Sequence, residues 1–152
     1  MKRIFFLFLI AAFLLTACED SNGPAKPQNG SDPEASDYSG LFDIEYTTVT
    51  SGCSWVPPYP DDLNITITDD RIVFGSLATG TWIEADKRGH GTSSQTCITI
   101  YGGCIGCYTI SFDITYANTD SLSGNYIVDF TYNDACGSPD CTTEYEITGV
   151  RQ

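Results

Sequence analysis

Tyr108-Thr109-Ile110-Ser111-Phe112-Asp113-Ile114-Thr115-Tyr116 switches between a large apolar and a small polar side chain at every step. A period of two sends Tyr108, Ile110, Phe112, Ile114 and Tyr116 to one face of an extended chain, and Thr109, Ser111, Asp113 and Thr115 to the other. That is a strand with one face in a core and one in solvent. The pattern recurs downstream in Tyr126, Val128, Phe130 and Tyr132, interleaved with Asp129 and Thr131, and again in Tyr145, Ile147 and Gly149 opposed by Glu144, Glu146 and Thr148. Upstream it recurs in Leu63, Ile65 and Ile67. Thr, Tyr, Ile and Val dominate these runs, as half-buried strands require. No window of a dozen residues carries a helical stripe.

Turn-forming residues punctuate the runs, as in Thr68-Asp69-Asp70-Arg71 and Lys87-Arg88-Gly89-His90-Gly91. The spacing predicts eight strands, at about 39–50, 62–68, 71–75, 80–85, 92–101, 106–117, 121–132 and 141–150. Short connections favour an antiparallel meander, since a parallel link needs a long crossover. Closing such a meander removes its edges. The expected fold is therefore all-β, a single up-and-down antiparallel β-barrel of about eight strands over residues 38–152. In a meander, odd-numbered connections share one end and even-numbered ones the other. Cys53, Cys104, Cys107, Cys136 and Cys141 then gather at one end, opposite the end where the chain enters.

The first residues have a different character. Met1-Lys2-Arg3 precedes an apolar run from Ile4 to Leu15, too short to span a bilayer as a mature helix, and small residues follow. Residues 1–17 read as an export signal. The tetrapeptide Leu15-Thr16-Ala17-Cys18 resembles the lipobox of bacterial lipoproteins, which implies diacylglyceryl transfer to the Cys18 thiol and cleavage before it. Residues 18–37 hold several prolines and no large apolar side chain, so they read as a disordered tether with ends on the order of 25 Å apart. The sorting rule of such lipoproteins places Asp directly after the lipidated cysteine for inner-membrane retention. Glu19 stands there, so the expected address is the outer membrane, facing the periplasm or the cell surface.

The chain is acidic, with 20 acidic and 7 basic side chains and a formal charge of −13. Removing Lys2 and Arg3 with the signal makes it more so. Nucleic acid and anionic lipid headgroups are therefore poor partners on electrostatic grounds.

Of seven cysteines, six remain once Cys18 is assigned to lipid: Cys53, Cys97, Cys104, Cys107, Cys136 and Cys141. An even number in an exported domain reads as disulfides. Cys104-Ile105-Gly106-Cys107 also fits a redox pair or half a zinc site. The first needs a helix N-terminus, whereas Cys107 opens a strand; the second needs another ligand pair. Cys136 and Cys141 flank a short hairpin connection and are the expected pair. Cys53 is expected to meet Cys97, Cys104 or Cys107.

The barrel pattern resembles the calycin-like, lipocalin-type barrels through Tyr38-Ser39-Gly40, Gly80-Thr81-Trp82 and the closing segment from Cys141 to Arg151. An inward face of Ile, Phe, Tyr and Val suits an apolar small molecule, and strand parity turns the cysteine-bearing rim away from the membrane. The expected function is therefore a non-enzymatic binding module for an apolar small molecule or for a partner at the membrane-distal rim. An alternative is an envelope inhibitor or interaction lipoprotein acting through rim loops, similar in architecture to the small lipoprotein inhibitors of lysozyme. Trp55 and Tyr59, in the proline-rich 51–61 connection, are the binding-rim candidates; the competing reading is that they plug the barrel mouth. No cofactor or metal is expected. His90 reads as a solvated turn residue, no nucleophile elbow accompanies it, and the strand carboxylates alternate outward rather than facing one another across a cleft.

Overall fold

The computed structural model describes residues 32–53 and 60–152. The signal segment, Cys18, the tether up to Ser31, and Trp55 and Tyr59 lie outside the described residues. Nine strands form one antiparallel sheet: β1 Gly40–Ser51, β2 Asp62–Thr68, β3 Arg71–Phe74, β4 Ala78–Ile83, β5 Arg88–Thr92, β6 Thr96–Thr99, β7 Ile105–Asn118, β8 Ser121–Tyr132 and β9 Cys141–Arg151. Sequential neighbours pair from β1 to β5, β5 pairs with β7, β7 to β9 continue the meander, and β9 closes on β1. Eight strands thus make a closed ring, and among the described residues β6 is attached to β7 alone.

The expected fifth strand turns out to be two. β5 runs along Thr115 to Ser111 of β7, and β6 continues along Tyr108 to Ile105 of the same edge. Between them the register slips by one residue, as in a bulge. The Ser93 amide donates to the Ile110 carbonyl at 2.7 Å, and the Ile110 amide donates to the Ser93 hydroxyl at 2.9 Å.

His90 belongs to β5, directly opposite Asp113, and not to a turn. Gly89 and Gly91 suggested a turn, but here they are inward positions where the wall curves tightly. A Cβ on Gly89 would come within 2.5 Å of Ile72 Cδ1, and one on Gly91 within 2.6 Å of the Gly80 Cα. Backbone and core occupy the room that side chains would need.

The inward face is apolar almost throughout. Phe42, Leu63, Ile65, Ile67, Ile72, Phe74, Ile114, Tyr126, Val128, Phe130 and Ile147 are all at most 2% exposed. Phe74 stacks on Phe112 with ring centroids 4.6 Å apart, and Phe130 stacks on both Tyr108 and Tyr132 at 5.4 Å. The barrel is filled by its own side chains, as small eight-stranded barrels tend to be.

The wall is uneven. β1, β7, β8 and β9 span 12, 14, 12 and 11 residues, whereas β2 to β5 span 7, 4, 6 and 5. Because β1 meets β2 only through Gly40 to Asp43, its remainder rises past β2 toward the cysteine-bearing end. At the opposite end a 3-10 turn, Ala35–Tyr38, leads the chain in. The compact unit begins at Pro33, so part of the segment read as tether belongs to the fold. Ser39 fastens this first turn to the wall, its hydroxyl accepting from the Ile67 amide at 2.7 Å.

The six cysteines form Cys53–Cys141, Cys97–Cys107 and Cys104–Cys136. The expected Cys136–Cys141 pair is therefore wrong, and Cys53 meets none of the three partners expected for it. The chain connecting β8 to β9 folds sideways. Asn133 accepts from the Ile105 amide at 3.0 Å and donates to the Gly103 carbonyl at 3.1 Å. The turn Asp134–Cys136 that follows brings the Cys136 sulfur within 3.5 Å of the Ile105 carbonyl, beside Cys104. Cys141 opens β9, and the Gly52 amide, next to Cys53, donates to the Thr142 carbonyl at 3.1 Å.

Candidate binding rim

Three connections reach the cysteine-bearing end: the first, of which residues 52–53 and 60–61 are described, then 100–104 and 133–140. The middle one is a tight hairpin. Gly102 and Gly103 both have positive φ, 54° and 87°, and the Cys104 amide donates to the Tyr101 carbonyl at 2.7 Å. Two consecutive positive φ angles define a type I′ turn, whose twist matches the flanking strands. A Cβ at either glycine would touch nothing, so backbone conformation alone demands them here. The turn holds Tyr101 outward at 68% exposure, with Ile100 at 41% and Ile105 at 40%.

Beside it lies a groove of about 300 Å³ lined by Ile100, Tyr101, Tyr132 and Pro139, with Cys104 and Cys136 of one disulfide and Cys141 of another. Asp134 and Asp140 are exposed on the same connection, and Asp140 accepts from the Tyr132 amide at 2.9 Å. The site is apolar, acidic at its margin, and covalently braced on two sides. Among the described residues that line it, none is a carboxylate or an imidazole.

The sequence-based candidates Trp55 and Tyr59 lie outside the described residues; Cys53 and Pro60, which flank that stretch, are described, and Pro60 accepts from the Tyr46 hydroxyl at 3.2 Å. Ile100, Tyr101 and Ile105 were missed. Their signal was Ile100-Tyr101 breaking the alternation just before Gly102-Gly103, since two adjacent large apolar residues in a strand cannot both face the core.

His90, Ser111 and Asp113 do share a face, the outer wall, where Thr92 and Ser111 hydroxyls lie 3.1 Å apart. Both Asp113 oxygens are taken by Arg88, through Nε at 2.7 Å and through Nη2. The guanidinium holds the Asp113 carboxyl below the usual carboxylate range. Asp113 is thereby engaged with Arg88. Asp43, Glu45, Asp129 and Glu146 are exposed on the outer wall, as the alternation predicts. Among the described residues, no three His, Cys, Asp or Glu side chains gather to hold a metal ion.

The fold and rim together define a disulfide-stapled, self-filled antiparallel β-barrel with one apolar, acid-edged end. Its sequence and structure match no protein-family model, no curated protein and no solved structure among those compared.

Proposed function

We propose that this chain is a cell-envelope lipoprotein, anchored through Cys18 in the outer membrane, that binds a partner protein at its cysteine-stapled rim without catalysing a reaction. The partner presents an apolar side chain to the Ile100–Tyr101 groove within a cationic surround. The observation that carries this reading is the groove itself: Tyr101, 68% exposed, is held out from the barrel by a Gly102-Gly103 turn between two disulfides. Large aromatics held rigidly at a surface are favoured contact residues. The net charge of −13 supports a cationic partner surface. An apolar small molecule inside the barrel has weaker support, because Phe74, Phe112, Tyr126 and Phe130 occupy that space. An envelope inhibitor would use the same rim and is contained in this reading.

The test places a photo-crosslinking residue at Tyr101 and, as a control, at Thr148 on the outer wall, in the full chain within the producing cells. An adduct at 101 and none at 148 is expected. No adduct at 101, or an apolar molecule retained in native mass spectrometry after Tyr101→Ala, overturns it. The anchor is tested separately: Cys18→Ala should abolish the acyl mass and release the protein from membranes.

A further inference from the structure

β6 is the one strand that the ring leaves with an unpaired side. Among the described residues only β7 pairs with it, and Thr96, Cys97 and Thr99 are exposed. The Ile100 amide donates to the Cys104 carbonyl at 2.9 Å, so even-numbered residues turn their amides toward β7. Cys97 and Thr99 therefore point their amides and carbonyls out along the open edge. Just before β6 in the chain, Thr92 to Ser94 border a groove with Gly75 to Thr79, and no charged side chain lines it.

Exposed edges recruit other strands, and proteins usually guard them with Lys, Pro or inward charges. β6 has none of these guards. Its neighbourhood is also the longest uncharged stretch of the chain: no charged side chain lies between His90 and Asp113. Two copies each carrying −13 repel over most of their surfaces, whereas β6 itself sets no charged side chain against its equivalent. The strand is held ready as well, because Cys97 is bonded to Cys107 directly across from it.

We propose that β6 pairs antiparallel with β6 of a second copy of this chain, across a two-fold axis at Ile98. In that register Cys97 of each copy exchanges amide–carbonyl bonds with Thr99 of the other. Ile98 meets its own equivalent, and Ile100 meets Thr96, so every facing pair is apolar or β-branched. β6 lies at the cysteine-bearing end, so the pair joins two barrels head to head, with the two Tyr38 ends on the far sides. This surface shares Ile100 with the rim groove but does not depend on a partner there.

The test uses the full chain, in cell membranes and in detergent. A photo-crosslinking residue at Thr99 should yield an adduct of twice the chain mass, identified by mass spectrometry as two copies. Thr99→Lys, which leaves the side chain on the exposed face, should weaken dimerisation in sedimentation experiments by about tenfold or more. The control Thr148→Lys and the rim variant Tyr101→Ala should leave dimerisation unchanged. A sedimenting monomer at all concentrations, or an adduct at 99 with a different protein only, overturns the proposal. So does dimerisation lost with Tyr101→Ala but kept with Thr99→Lys.

Discussion

At the end where the chain enters, Tyr38, Trp82 and Tyr116 close the barrel with ring centroids 5.2, 5.5 and 5.7 Å apart; at the other end, disulfides close it and Ile100 and Tyr101 stay exposed. Around the aromatic cluster, Lys87 lies over the Tyr38 ring and Arg151 over the Phe42 ring, at 5.2 and 5.6 Å. The Trp82 indole donates to Glu84 at 2.7 Å. The connections at this end are short, so hairpin geometry and burial suffice to order them. At the cysteine end the connections are longer and the strands of unequal height, leaving less apolar surface to bury per ordered residue. Covalent bonds take over where packing thins out. That exchange is what lets one end keep large apolar side chains in solvent without losing its shape.

Removing the covalent half of this contrast should have the largest effect. Cys53→Ser with Cys141→Ser opens a closure of 88 residues, and chain-entropy arithmetic predicts a loss of about 4.5 kcal/mol in chemical denaturation. A loss below about 1 kcal/mol would mean that packing holds both ends alike. Peptide mapping without reduction should recover Cys53–Cys141, Cys97–Cys107 and Cys104–Cys136 and no other pairs.

At the aromatic end, Trp82→Ala should cost about 3 to 4 kcal/mol, because the indole is 3% exposed and its removal leaves a cavity between Tyr38 and Tyr116. Tyr116→Phe sharpens the same point in the other direction. The Tyr116 hydroxyl is buried and has no hydrogen-bond partner among the described residues, and burial pushes its pKa up. Its deletion should leave stability unchanged or raise it by up to about 1 kcal/mol, read from thermal unfolding.

The smallest effect is electrostatic. Hydrogen bonds from Lys87 and Trp82 hold the Glu84 carboxyl below its ordinary range, as those from Arg88 do for Asp113. A carboxyl with a depressed folded-state pKa contributes stability above its unfolded pKa of about 4 and loses it as pH falls toward the folded value. Both side chains are more than a third exposed, so screening limits each contribution to about 0.5 kcal/mol. Asp113→Asn and Glu84→Gln should each flatten the acid limb of the stability–pH curve slightly. A steeper limb in either variant would contradict these assignments.

Much of the fold was legible from alternation. Ile110, Phe112, Ile114 and Tyr116 point inward where the period of two puts them, and the parity argument brought the cysteines to one end. β5 was not legible, because Gly89 and Gly91 carry no alternation and look like turn residues. The rim was legible only in part. Prolines and Trp55 mark out 51–61 in the sequence, while the exposed Ile100 and Tyr101 read as the end of a strand.

The amino-acid sequence by itself determined which residues extend, which face of each strand is buried, and that the cysteines would be oxidised together, because side-chain period and composition are properties carried along the chain. The tertiary structure alone decided that Cys141 bonds to Cys53 rather than to Cys136, that among the described residues β6 is left with an open edge, and that Tyr101 stands in solvent. Those outcomes depend on which segments become neighbours when strands of unequal length close into a ring, and separation along the chain does not encode that.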